Sequence, residues 1–355
     1  MRDGSFTPGT DGRYLGREAT GWLVRLAVVV LVLYLTWRFL AGMEWGRVAE
    51  RLEGASQSAI WLAALLLVLR FVLLDLRWRL AFRRLGRAPT RLQSFFGLLG
   101  AIFANHVVPV VRMIGGLLRA RYGARFADQT FGVAYGVVLF DQVSHQVVSV
   151  SSSVLALAGF LWYLGHPWLA LSTVVALLAA VAFLSSWYRA RGSGGARWAS
   201  RLVERLGRYG RGGAAISREG QAAVETLVTL LGDARLRRLS IVAGLGFVLL
   251  NGLAQWVVFA ALGVPNSLLA SLMAVALGTA VGGLTGTPGG LGTTEAGMIV
   301  TYAALEVAPI DAAAATLLYR GLHYVLVVAL GLPALLLFEL KGADPDNESD
   351  RRDER

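Results

Sequence analysis

Apolar runs long enough to cross a bilayer alternate with short arginine-rich blocks along most of the chain. A hydrocarbon core of roughly 30 Å takes about 20 helical residues. On that measure the pattern predicts full spans near 22–41, 59–78, 130–160, 166–187, 239–262 and 311–338. Two further regions, 93–120 and 267–307, are equally apolar but broken. Asn105, His106 and Pro109 interrupt the first, and the glycine- and proline-rich stretch "LTGTPGGLGTTEAG" (284–297) interrupts the second. Proline removes a backbone donor and glycine disfavours helix. Unpaired backbone groups are not tolerated against lipid, so such breaks belong inside protein or against a wet cavity. Each broken region is therefore read as two helices meeting at a buried tip, either re-entrant or fully crossing. The expected fold is an all-α polytopic membrane protein: six full spans plus two broken helix pairs in one transmembrane domain over 1–340.

Charge placement orients that drawing. Arginines crowd 77–91, 119–125 and the 188–238 loop, whereas 42–58, 161–168 and 305–311 are neutral or acidic. If each broken region enters and leaves on one side, every arginine block falls on the same side, as the positive-inside rule requires. Both termini are then cytoplasmic and the cell membrane is the expected location. The first apolar run, 21–41, is too long for a signal-peptide core and reads as a retained span. The 188–238 loop reads either as one or two amphipathic helices on the membrane surface or as a solvated connector. A polar, disordered tail is expected at 341–355.

The 355-residue composition agrees: 55% hydrophobic and only 16% charged. The net charge of +11 is almost all arginine, since Lys341 is the only lysine. These arginines flank apolar spans, which favours anionic lipid over nucleic acid as the partner. The absence of cysteine excludes disulfides and thiolate chemistry.

Spacing adds a repeat. Pro109 to Asp141 and Pro288 to Arg320 are both 32 residues, and each pair joins a broken hairpin to a span with an ionisable group and a nearby histidine, His145 or His323. Under the topology above the hairpins open to opposite sides, the arrangement of inverted repeats with a midplane site. Asp141 and Arg320 lie about 18 Å and about 14 Å into their spans, and Arg70 is similarly deep. Such charges cost roughly 2.5–3.5 kcal/mol each at a helix centre, so each needs a partner or a ligand. Two readings stay open: a structural Asp141–Arg320 ion pair, or a polar cavity lined with Arg112 and Glu295 from the hairpin tips. Asp75 and Arg79, four apart, read as an interfacial pair.

Motif chemistry is sparse. "GTPGGLG" lacks the Lys-Ser/Thr of a phosphate loop and no strand precedes it. Asp141 and His145 have metal-like spacing but read better as a polar core pair, so no metal or cofactor is expected.

The stretches "NHVVPVVRMIGGLLRARY", "VAYGVVLFDQVSHQVV" and "TPGGLGTTEAGMIVTYAALEVAPIDAAAATLLYRGLHYVLVVALGLPALL" together resemble the lysylphosphatidylglycerol synthase transmembrane, flippase-like family. The resemblance runs from the first span to about 338. "PGGLG..E" followed by "LLYRGLHY" is its specific part. The first half departs from the family pattern, with Leu117 where an acid usually follows the glycine. The resemblance implies a domain that moves or accommodates lipid, here without the cytosolic aminoacyl-transferase domain of some members. It marks Pro109, Arg112, Asp141, Pro288, Gly289, Gly290, Gly292, Glu295 and Arg320 as pattern residues. Arg70, Asn105, His145 and His323 join them as candidate substrate-binding residues on their own chemistry.

The resulting expectation is translocation of an anionic, aminoacylated or sugar-linked lipid headgroup through a mid-membrane site. The alternatives are a membrane-embedded transferase with Glu295 or Asp141 as base, and a scaffold recruiting envelope-synthesis enzymes through the 188–238 loop.

Overall fold

A computed structural model describes residues 45–107, 113–191, 203, 213–285 and 287–340. The first predicted span (22–41), the tail (341–355), Pro109, Arg112 and much of the 188–238 loop lie outside the described residues. Those described are helical throughout, with no strand among them. In chain order the helices are α1 (Trp45–Glu53), α2 (Gln57–Arg84), α3 (Arg91–Val107), α4 (Met113–Ala127), α5 (Phe131–Tyr163), α6 (Pro167–Arg191), α7 (Gly213–Gly232), α8 (Ala234–Ala261), α9 (Leu268–Thr285), α10 (Thr293–Ala304) and α11 (Pro309–Leu340). α2, α5, α8, α9 and α11 are long and apolar enough to cross a membrane. At 12 residues, or about 18 Å, α10 is shorter than a hydrocarbon core.

Polar starts and stops fix the helix ends. Thr90 and Gln93 form a reciprocal capping box ahead of α3, the Thr90 N–H donating to Gln93 Oε1 at 3.1 Å and the Gln93 N–H to Thr90 Oγ1 at 3.4 Å. Asp233 Oδ1 accepts from the N–H groups of Arg235 and Leu236, at 2.9 and 3.0 Å, to start α8.

Contacts between ends settle the topology. Ser56 N–H donates to the Ala261 carbonyl at 2.8 Å, and Arg84 Nε meets Asp233 Oδ2 at 2.5 Å. The start of α2 thus touches the end of α8 and the reverse, so the two helices run antiparallel. Arg87 pairs with Asp128, which brings the exit of the α3–α4 hairpin back to its entrance. Arg51 Nε pairs with Asp311 Oδ1 at 3.0 Å, placing the exit of the α9–α10 hairpin beside α1, again at its entrance. The hairpins therefore enter from opposite ends of the antiparallel α2/α8 pair.

Helix packing carries the same relation through the whole bundle. Exchanging α2–α5 for α8–α11 maps the packed pairs onto one another. α3–α4 maps onto α9–α10, α4–α5 onto α10–α11 and α3–α11 onto α9–α5, while the α2–α8 pair maps onto itself. This is an inverted-repeat architecture, and its central pair supplies the packed heart of the bundle.

Close helix approach depends on missing side chains. A Cβ on Gly331 of α11 would come within 2.7 Å of the Leu99 carbonyl and of Phe103 on α3. A Cβ on Gly278 of α9 would lie 2.8 Å from the Thr294 carbonyl of α10. Small residues at such crossings let backbones touch where no water drives association. Outward faces carry exposed Leu65, Leu69, Val72, Leu76, Leu178, Val181 and Leu337, which suits contact with lipid tails.

Three outcomes test this arrangement. Gly331→Val should destabilise the detergent-solubilised protein by about 1–3 kcal/mol through overpacking, read as a lowered thermal midpoint. Gly321→Ala, with open space around it, should leave that midpoint unchanged or raise it slightly. In the cysteine-free background, a membrane-impermeant thiol reagent should reach Arg87→Cys from one side of the membrane only and His166→Cys only from the other.

Candidate functional site

The described part of the glycine- and proline-rich break forms a turn. α9 stops at Thr285, Pro288–Gly290 forms one 3₁₀ turn, and α10 begins at Thr293. Gly289, Gly290 and Gly292 have φ of 59°, 70° and 77°, which side-chain-bearing residues adopt only with strain. Gly289 also abuts His106, whose ring carbon would lie 3.0 Å from a Cβ there. Hydroxyls serve the polar groups of the break: Thr293 Oγ1 lies 2.9 Å from Thr285 Oγ1, 3.1 Å from Thr287 Oγ1 and 3.3 Å from the Gly290 carbonyl. The turn is only partly enclosed: Thr293 is buried, whereas Leu284 and Leu291 on either side of Pro288–Gly290 are 90% and 50% exposed.

Glu295 lies in the first turn of α10 and is 8% exposed. Its Oε1 accepts from Arg320 Nε of α11 at 2.6 Å. The same guanidinium donates to the Gly289 carbonyl at 2.8 Å and to the Tyr324 hydroxyl. One arginine thus fastens the turn, the start of α10 and the middle of α11. Glu295 Oε2 is buried with no hydrogen-bond partner among the described residues.

The opposite repeat has the same latch with reversed sign. Asp141 of α5 is held by Arg119 of α4, with Nη1 at 2.9 Å from Oδ2, and by Arg77 of α2, with Nη2 at 2.8 Å from Oδ1. Arg77 also donates to the Asp141 carbonyl at 2.6 Å, and Arg119 lies over the Trp78 ring, 5.1 Å from its centroid. The structural Asp141–Arg320 pair is therefore not formed. Each group is bound within its own repeat, because the second helix of each hairpin brings a counter-charge to the long helix beside it. Arg77 and Arg119, which sequence placed in the surface arginine blocks, are 1% and 9% exposed. The spacing held a signal, since Arg77 is two helical turns from Arg70 on one face. The interfacial Asp75–Arg79 pair is absent among the described ion pairs. Asp75 turns inward beside Ser94, while Arg79 donates to the Pro89 carbonyl at 3.4 Å.

Between the repeats lies a cavity of about 270 Å³. Arg70, His145, Arg320 and His323 reach its wall, together with Ser149 and Ser152 of α5, Asn251 of α8, Thr279 of α9 and Tyr319 of α11. Phe71, Phe247, Val275 and Met298 give it apolar sides. Asn105 is not in the wall. Its Oδ1 accepts from the Gly115 N–H at 2.8 Å, bracing α3 against α4. His145 packs edge-on against Phe247, ring centroids 5.2 Å apart.

A directed hydrogen-bond chain crosses the cavity. His106 Nδ1 lies 2.8 Å from the Ile102 carbonyl. A carbonyl only accepts, so that nitrogen carries hydrogen and Nε2 of the neutral ring accepts. His323 Nε2, 3.2 Å away, must then donate, leaving His323 Nδ1 to accept from Arg70. Arg70 also donates to Asn251 Oδ1, which takes a second bond from the Tyr319 hydroxyl at 2.7 Å. Asn251 Nδ2 closes onto the Phe247 carbonyl at 2.7 Å. His106, Asn251, Tyr319 and Tyr324 were not among the sequence-derived site residues. "LLYRGLHY" does place Tyr319, Arg320, His323 and Tyr324 within about one turn of each other. Nothing local to Asn251 pointed to Arg70, 181 residues away.

A polytopic helical membrane protein, with an inverted repeat enclosing a charged cavity, is the class that these features define. The family model for the lysylphosphatidylglycerol synthase TM region matches residues 22–331, and the chain belongs to that family. Among its relatives is a UPF0104 membrane protein of Methanothermobacter thermautotrophicus, 24% identical over 303 residues, covering 82% of this chain and 89% of the relative. Another UPF0104 membrane protein, from Methanocaldococcus jannaschii, is 22% identical over 309 residues, covering 82% and 88%.

Removing one partner of a buried ion cluster strands the others. Asp141→Asn should therefore cost about 3–5 kcal/mol of stability, measured by denaturation in detergent. Asp128→Asn breaks the exposed Arg87 pair (side chains 64% and 84% exposed) and should cost less than about 1 kcal/mol.

Proposed function

We propose that this protein is a lipid translocator whose central cavity receives an anionic headgroup while the acyl chains stay in hydrocarbon. The observation that carries this reading is a cationic, hydrogen-bonding cavity at the interface of two inverted repeats, enclosed by helices whose outer faces are apolar. A headgroup cannot cross hydrocarbon unaccompanied, because its polar atoms would lose their hydrogen bonds to water. Arg70, Asn251, Ser149, Ser152 and Thr279 offer substitutes at depth. Arg320 and Glu295 form the movable part: an incoming anion competes with Glu295 for the Arg320 guanidinium and loosens the turn held by Gly289. Membership in a family described by a lipid-modifying synthase's membrane region supports lipid as the cargo. With no nucleotide-binding motif in the sequence, movement is passive or coupled to a gradient. The arginine-rich end of the bundle faces the cytoplasm of the cell membrane.

The test is dithionite quenching of headgroup-labelled phospholipids in proteoliposomes of the full chain. Wild type should expose inner-leaflet label well above protein-free vesicles, and Glu295→Gln and Arg320→Gln should each slow this at least about tenfold. The double variant removes both charges together, so it should fold at least as well as either single change and still be slow. Wild type at the protein-free rate with anionic, zwitterionic and lipid-linked-sugar probes would sink the reading.

A further inference from the structure

We infer that His106 and His323 form a proton-operated lock between the two repeats. It holds while both rings are neutral, opens when a proton loads on His106, and takes up that proton together with the anion received by the cavity. The coupling to an anion rests on the reading of the cavity given above; the lock itself does not.

Its position is the first observation. His106 is one residue from the end of α3, at the described limit of the first hairpin. The half-buried ring reaches the cavity wall. It abuts Gly289 in the turn of the second hairpin and meets Tyr324 edge-on, ring centroids 5.8 Å apart. His323 belongs to α11, the long helix of the second repeat. The contact between the two Nε2 atoms, 3.2 Å apart, therefore ties the first hairpin to α11 beside the turn of the second.

Donor counting makes that bond a switch. His106 Nδ1–H donates to the Ile102 carbonyl, His323 Nε2–H to His106 Nε2, and Arg70 to His323 Nδ1. Only His106 Nε2 and His323 Nδ1 carry lone pairs in the ring planes, and each already receives a donor. A proton added to His323 Nδ1 would confront the Arg70 guanidinium directly. Added to His106 Nε2 it lies one ring farther from Arg70, on the ring that is the less buried of the two. There it sets two N–H groups head to head, and the bond between the repeats cannot persist.

The surroundings say what accompanies the proton. Arg70 of α2 and Arg320 of α11 both act on His323. Glu295 of α10 is engaged by Arg320. Tyr319 and Tyr324 of α11 bring hydroxyls, and His145 of α5 shares the cavity wall. Met113–Gly116, which open α4 beside α3, carry no titratable group. An imidazolium here thus faces two guanidiniums and one carboxylate that is already paired. An anion in the cavity supplies the missing counter-charge, and the N–H groups released by the broken bond supply the anion with donors. Whatever factor the anion adds to proton binding, the proton adds to anion binding.

Calorimetric titration of the full chain in nonionic detergent counts the protons. The probe is dihexanoyl phosphatidylmethanol, whose phosphodiester stays a monoanion, in two buffers of unlike ionisation enthalpy. Wild type should take up about one proton per lipid bound. Its affinity should tighten by up to about tenfold per pH unit of acidification through the histidine range. His106→Gln keeps an acceptor where Nε2 stood but cannot load a proton, so it should bind without uptake and with an affinity independent of pH. Solid-state nitrogen NMR of the chain with isotope-labelled histidine, of which it has four, follows the lock with neither lipid nor variant. Acidification to the edge of unfolding should load the bare Nε2 and abolish the coupling across the bond in the same step. Loading with the coupling intact, or no loading at all, overturns the lock. Binding by wild type without proton uptake overturns the coupling, as does equal uptake by His106→Gln. A probe that binds at no pH would defeat the headgroup reading, and the lipid-free spectra then decide the lock alone. Lipid movement without proton uptake would do the reverse.

Discussion

The Glu295–Arg320 pair, 2.6 Å apart and largely cut off from water, decides how the second hairpin meets α11. Neither charge could remain at that depth alone, since removing an ion from water costs several kcal/mol unless a partner and hydrogen bonds replace the solvent. Arg320 answers both demands, binding the carboxylate and the Gly289 carbonyl together. Glycines with positive φ let the backbone turn tightly enough to present that carbonyl. The break, the short α10 and the buried charge are therefore one solution to one problem.

The other repeat solves it with opposite signs. Asp141 sits on the long helix, and Arg119 on the hairpin helix supplies the counter-charge. Arg77 of α2 joins as a second cation, so this latch also ties in the central antiparallel pair. Reversed polarity in matched positions means that the fold demands a paired charge at this junction and not a particular sign at a particular place. What escapes the pairing is Arg70, beside the cavity and near the centre of α2. Its neutral partners hold its direction without discharging it. The repeats are alike in architecture and unlike in electrostatics, and the difference is concentrated where a ligand would enter.

Much of the fold was legible because hydrocarbon is a demanding solvent. Apolar runs of 18 or more residues have few alternatives to a helix, and a run such as "TPGGLG" cannot continue one. Antiparallel α2 and α8, and hairpins entering from opposite ends, follow from the same length and charge rules that the arginine blocks obey. The partners of the charges were not legible. Asp141 and Arg320 were opposite in sign and similar in depth, yet each lies nearer a different counter-ion. Arg77 and Arg119 read as surface arginines because they sit in strings of arginine, and only packing shows which members of a string turn inward.

By itself, the sequence determined the helical membrane class, the two breaks and the polar residues that had to find partners, because solvation and backbone hydrogen bonding act on each segment locally. Only the tertiary structure decided who pairs with whom, how Arg70 meets Asn251 and His323, and which side chains line the cavity. Those outcomes depend on side chains brought together from opposite halves of the chain. Coulomb attraction and hydrogen bonding over a few ångströms choose among them, and that choice exists only once the helices have packed.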